Sequence, residues 1–184
     1  MWVVVIPSTI RYAKILVDLV RTGWLLRGVP ALLAETVAEH SFLSAYVCIE
    51  LGNRVQGVDV GKVALYTLIH DLGEAFVGNI TKQVGLRIGE LKSHIEEDYV
   101  VRNVDNELVK ELYKKYVSQS DLEAKLAKLC NYISTLLVGI DYKRLGYRVD
   151  EIVHNTHYEV LKMSKELNIR ELVEKLLSEL ITDT

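Results

Sequence analysis

Proline occurs only twice in the 184 residues, at Pro7 and Pro30, so no proline interrupts the chain beyond residue 30. Apolar side chains recur there at helical spacing, and Gly or Asn closes several of the periodic runs. Ser8 or Thr9 can cap a first helix whose apolar face is Ile10, Ala13, Leu16, Val17 and Val20. A loop from Gly23 to Pro30 separates it from helices expected over about 32–51, 59–76, 92–117, 120–144, 149–164 and 169–181. Residues 79–91 read as an irregular or short-helical connection. Leu137-Val138-Gly139-Ile140 has strand-like β-branching, but helical periodicity on both sides outweighs it. In the last segment Ile169, Leu172, Val173, Leu176, Leu177 and Leu180 form one stripe, for the core or for a dimer face. The expectation is an all-α chain, 1–184, folding as a single orthogonally packed helical domain without repeats or linkers.

Size and charge narrow the function classes. One domain of ordinary globular composition fits this length. A formal charge of -3, from 22 basic and 25 acidic side chains, argues against a general nucleic-acid binder. The apolar opening of the chain, through Ile6, is too short for a signal sequence or a membrane span, and reads as an extension or short strand. No later stretch is long and apolar enough to cross a bilayer. Cys48 and Cys130 lie in apolar helical surroundings with no cluster spacing, so free buried thiols in a cytoplasmic protein are expected.

The chemistry is concentrated in polar residues that interrupt apolar helices. His70-Asp71-Leu72-Gly73-Glu74-Ala75 follows the nearly all-apolar run Val63 to Ile69. Burying such groups unpaired is expensive, and a divalent ion compensates, because imidazole and carboxylate are both ligands for zinc, manganese, cobalt or iron. Glu74 comes one helical turn after His70, placed to hold water and take its proton. An ordinary core histidine with a carboxylate partner is the competing reading of this segment alone. His40, inside Val37-Ala38 and Phe42-Leu43, is a second histidine in apolar surroundings, and two of them make a shared site the better account. His154 and His157 sit among polar neighbours and read as a solvated helix face; His94 reads as a surface or supporting residue.

Four anchors in order give the sequence a family likeness. They are Arg21-Thr22-Gly23-Trp24 through Arg27-Gly28, Thr36 through Glu39-His40-Ser41, His70-Asp71 through Glu74-Ala75 with Gly78-Asn79-Ile80, and Leu122-Glu123 through Lys128 to Asn131. With these, residues of about 9–165 resemble the HD superfamily of metal-dependent phosphohydrolases, and more narrowly its 5'-deoxynucleotidase-like branch. The resemblance implies a helical HD domain holding one divalent ion (Mn, Co, Zn, Ni, Fe or Mg) on His40, His70, Asp71 and Asn131. It implies Glu74 as acid/base, and Arg21, Trp24, Arg27, Asn79 and Lys128 as residues facing substrate. It also implies a homodimer.

Several positions depart from the family pattern. The fourth ligand is usually aspartate, where this chain has the neutral Asn131; Asn79 also stands for aspartate, Thr81 for proline, and Gly23 for arginine. The expected function is hydrolysis of nucleoside 5'-monophosphates, with deoxynucleotides favoured. The alternative is a degenerate HD domain that binds nucleotide or a protein partner without turnover.

Overall fold

The computed structural model describes residues 7–181; the apolar opening expected to extend or form a short strand lies outside the described residues. Eleven helices occur among them. Short α2 (Thr22–Leu25) follows α1 (Ser8–Asp18), and α3 (Val37–Gly52) and α4 (Val60–Ile69) form an adjacent pair. Then come α5 (Glu74–Val77), α6 (Lys82–Ile88), α7 (Glu90–Asn103) and α8 (Glu107–Ser118). The long α9 (Leu122–Arg144), α10 (Asp150–Glu166) and α11 (Arg170–Leu180) complete the chain. The one extended contact among the described residues is a bridge between Val20 and Thr36. The all-α expectation holds, including over Leu137 to Ile140, which lie within α9.

Side-chain caps mark where α3, α4, α8 and α9 start. Thr36 and Glu39 form a reciprocal capping box: the Glu39 N–H donates to Thr36 Oγ1 at 3.1 Å, and the Thr36 N–H donates to Glu39 Oε2 at 2.7 Å. This moves the start of α3 from the expected 32 to Val37 and leaves the preceding residues in turns. The expected helix over 92–117 is two helices, because Val104 is extended and the Asn106 side chain caps α8 by accepting from the Val109 N–H. Residues 59–76 also divide: the chain turns tightly through 70–73 before α5.

The face of α1 differs from the expected one. Ile10 and Val17 are 53% and 57% exposed, whereas Ser8, Tyr12, Leu16 and Leu19 face inward. Tyr12, Leu16 and Leu19 pack into a buried cluster, and the Ser8 hydroxyl accepts from the Asp105 N–H at 2.7 Å, tying the start of α1 to the α7–α8 junction.

The core is organised around α9, which packs on α3, α4, α8 and α10. Leu126, Leu129, Ile133 and Leu136 of α9 join Val47, Leu51, Val63 and Tyr66 in the largest buried cluster. Val173, Leu176 and Leu177 of the final stripe enter the same cluster, so that face of α11 is core. Cys48 and Cys130 are not free thiols. They form a disulfide joining α3 to α9, with Cα atoms 5.5 Å apart and a sequence separation of 82. Sequence spacing could not show this, because the pair is made by the contact of two distant helices.

Candidate active site

The end of α4, the first turn of α3 and the middle of α9 meet at one point. His40 comes from α3 and is fully buried; His70 ends α4, Asp71 follows it, and Asn131 comes from α9. One ligand-type atom from each of His40, His70 and Asp71 lies within 4.8 Å of the others. His40 Nε2 is 3.1 Å from Asn131 Oδ1. All four residues assigned to the ion from sequence are therefore brought together.

The chemistry of this cluster suits a cation. His70 Nδ1 faces the Thr67 carbonyl at 2.7 Å and donates its hydrogen there, which leaves a lone pair on Nε2. That Nε2 is buried, has no aligned hydrogen bond, and sits 3.0 Å from Asp71 Oδ2. Two acceptors this close require positive charge between them, either a proton or a metal. Atoms bound to one ion at about 2.0–2.2 Å are themselves about 3 Å apart. Burial opposes a charged His70, but the Asp71 carboxylate outweighs it and raises the imidazole; burial likewise opposes ionised Asp71, and His70 holds it well below the usual carboxylate range. Burial first, then the Arg21 and His70 charges, holds His40 well below the ordinary imidazole range, in the neutral form that ligates metals.

Glu74 opens α5 just beyond the cluster and is only 4% exposed. Asn79 Nδ2 donates to its Oε2 at 2.8 Å, and Lys92 Nζ from α7 donates to its Oε1 at 3.2 Å. Burial, with the Asp71 charge beside it, pushes Glu74 up to about 7 against the pull of Lys92. A carboxyl at that value can both take and return a proton near neutral pH. Lys92 is shared with Glu96 at 3.1 Å. Asn79 is itself held by Thr22, whose N–H donates to Asn79 Oδ1 at 2.7 Å and whose hydroxyl donates to the Asn79 carbonyl at 2.8 Å.

The turn that presents Glu74 depends on Gly73. A Cβ there would lie 2.4 Å from the Tyr113 hydroxyl and 2.5 Å from Glu96 Cβ. We expect Gly73→Ala to cost about 1–3 kcal/mol, the usual scale of overpacking, and to shift Glu74 away from the cluster. A urea melt alongside a rate measurement checks this; wild-type values in both would refute the tight approach.

The residues expected to face substrate separate. Arg21 lies against the cluster, with Nη1 donating to His40 Nδ1 at 3.0 Å, to Glu35 Oε1, and to Thr135 Oγ1 at 3.3 Å. Trp24 is 2% exposed; its indole N–H donates to Glu35 Oε1 at 3.0 Å and its ring packs edge-on against Tyr142. It is a buried wall, with no open face for a base. Arg27 is paired with Glu151 on α10. Lys128 lines a different cleft, with Lys125, Tyr132, Glu159 and Lys162. His94 is exposed. So are His154 and His157, which border a cavity of about 620 Å³ floored by Leu136, Val153 and Leu177.

Sequence reasoning missed Glu35, Lys92 and Tyr116. Lys92 and Glu96 were visible only as an i,i+4 pair, a pattern typical of exposed helix faces. Glu35 stands beside a capping box whose obvious acid is Glu39. Tyr116, which packs edge-on against His70 at 5.6 Å between ring centroids, carried no motif.

The HD domain profile matches residues 14–173. The chain is 30% identical over 164 residues to the 5'-deoxynucleotidase HDDC2 of Danio rerio, covering 80% of this chain and 78% of that one. It is 26% identical over 160 residues to the Homo sapiens protein of the same name, covering 80% and 76%. A crystal structure of the PH0347 protein from Pyrococcus horikoshii OT3 superposes with a TM-score of 0.78 at 26% identity, over 94% of this chain and 96% of that one. A conserved hypothetical protein from Pyrococcus furiosus gives 0.78 at 25% identity, over 91% and 96%. With the profile spanning nearly the whole described fold, the chain belongs to the HD domain family.

Proposed function

We propose that this chain is a metal-dependent phosphomonoesterase acting on nucleoside 5'-monophosphates, with deoxynucleotides as the favoured class. The observation that carries the reading is the buried Glu74 carboxyl, raised to about 7 and aligned by Asn79 and Lys92 next to the buried His70–Asp71 pair. Relatives named 5'-deoxynucleotidase, from fish to fission yeast, support the substrate class.

In this reading His40, His70, Asp71 and Asn131 hold one divalent ion. When bound, the ion supplies Lewis acidity, withdrawing charge from a phosphoryl oxygen and lowering the pKa of water. Glu74 takes the proton from the attacking water and returns one to the leaving alkoxide. Among the three arginines and lysines assigned to the phosphate from sequence, Arg21 is the one against the cluster, and its planar fork matches phosphate oxygens. Trp24 and Glu35 hold that arginine from behind.

One observation favours the second reading, binding without turnover. The neutral Asn131 has its amide oxygen engaged by His40 at 3.1 Å and brings no charge to the ion. Phosphate release from ribo- and deoxynucleoside monophosphates separates the two readings. The protein is stripped of metal and then given manganese, cobalt, zinc, magnesium or nickel in turn. We expect no release without an ion, and restored release with a deoxy preference for at least one ion. An ion at 100 times its Kd also stabilises the fold by about 2.7 kcal/mol, so the melting temperature rises with it. Folded protein that binds nucleotide yet releases no phosphate with any ion belongs to the second reading.

A further inference from the structure

The two histidines of the cluster differ in their readiness for an ion. His70 has a hydrogen on Nδ1, donated to the Thr67 carbonyl, so its Nε2, 3.0 Å from Asp71 Oδ2, is turned toward the position where an ion takes the place of a proton. His40 is held the other way. Its Nδ1 faces Arg21 Nη1 at 3.0 Å, and a guanidinium only donates, so Nδ1 is the acceptor. The ring hydrogen is then on Nε2, donated to Asn131 Oδ1 at 3.1 Å. In this tautomer neither nitrogen of His40 has a lone pair to give.

Nδ1 is ringed by protein groups: Arg21 Nη1, Ser134 Oγ at 3.5 Å and Glu35 Oε1 at 3.7 Å. Only Nε2 is left for an ion. For Nε2 to bind one, the hydrogen must sit on Nδ1 and find an acceptor there. Ligating histidines usually give that hydrogen to a carboxylate, a carbonyl or water. Glu35 is the carboxylate within reach; it is buried, and its Oε1 is now occupied by Arg21 and the Trp24 indole N–H.

We propose that Glu35 is the positioning carboxylate of His40, and that Arg21 is the group it gives up when His40 turns its Nδ1–H toward Glu35. The proposal rests on reading the cluster as the metal centre. The imidazole loses one hydrogen from Nε2 and gains one on Nδ1, so its charge is unchanged. Without an ion, Arg21 is the internal cation of the site. With the ion in place, its guanidinium is released toward the substrate phosphate, so the ion binds before the nucleotide. Asn131 helps make this exchange possible, because a neutral amide oxygen accepts from His40 without the charge that would hold a metal on its own.

Zinc titration of the metal-free full chain against a chromophoric chelator tests this, with nitrogen-15 NMR of the histidine rings. In the wild type, His40 carries its hydrogen on Nε2 before zinc and on Nδ1 after it. Glu35→Gln weakens zinc binding by about 10–100-fold, the usual cost of losing such a partner. Arg21→Met binds zinc at least as tightly as wild type, and Ser134→Ala binds it equally. Opposite signs at two residues that contact each other are not what general damage to the site produces. An unchanged affinity in Glu35→Gln, a hydrogen on Nε2 in both forms, or a loss in Arg21→Met overturns the proposal. If Glu35→Gln fails to fold, the Arg21→Met titration and the wild-type spectra still decide it. Wild-type protein that takes up no zinc overturns the metal-centre reading and this proposal together, whereas normal uptake with an unaffected Glu35→Gln overturns this proposal alone.

Discussion

Glu74→Gln lowers kcat by about 10²–10⁴-fold, the usual contribution of a positioned acid or base, while ion uptake is retained. The amide keeps the shape of the side chain and an oxygen for Asn79 or Lys92, but cannot take a proton from water. In the wild type the rate falls as pH drops through the Glu74 value of about 7, because the protonated carboxyl no longer accepts. That acid limb disappears from the residual activity of the variant. Stability gives an independent check with a definite sign. A carboxyl raised from 4.5 to about 7 by folding binds its proton more tightly in the native state, so ion-free wild type loses stability as pH rises across that interval. Gln removes this dependence, and the ion-free variant at neutral pH melts no lower than wild type. Full activity in Glu74→Gln would remove this residue from proton transfer; lost ion binding would move it into the ligand set.

Opening the Cys48–Cys130 bridge lowers stability by roughly 4–5 kcal/mol. The bridge closes a loop with a sequence separation of 82, and on the chain-entropy account a loop of that size restricts the unfolded ensemble by about this much. Both cysteines are fully buried between α3 and α9, so alanine substitutions add a packing loss that reduction alone does not. Urea unfolding with and without reductant separates the two effects. The bridge also ties the helix of His40 to the helix of Asn131, one residue from the latter, so reduction is expected to weaken ion binding along with the fold. Two free thiols in unreduced, denatured protein, or an unchanged urea midpoint under reductant, would refute the bridge.

Much of this was legible in the chain itself, for local reasons. A helix shows in the spacing of its apolar residues, because that spacing is set by its own backbone period. The start of α9 followed from Asp121, which caps it by accepting from the Ala124 N–H at 2.8 Å. The start of α3 lies at the capping box of Thr36 and Glu39, later than its apolar spacing implies, and the cap at Asn106 divides what reads as one periodic run. His40, His70, Asp71 and Glu74 stood out because ionisable groups in apolar helices need compensation.

Tertiary structure decided the rest. Which way α1 faces is set by distant partners: the cluster that takes Tyr12, Leu16 and Leu19, and the Asp105 N–H that meets Ser8 across a sequence separation of 97. Trp24 and Arg21 stand three residues apart in the chain, yet the fold buries the first and sets the second against His40. Arg27 and Lys128 carry the same charge as Arg21 and point elsewhere, toward Glu151 and a second cleft. The sequence by itself determined the helical class and the residues able to bind an ion, because both follow from local spacing and the cost of burying charge. Only the packing of distant elements decided which cation meets Glu74 and which cysteines join. Those partners lie 18 and 82 positions apart, and nothing local to either member encodes the meeting.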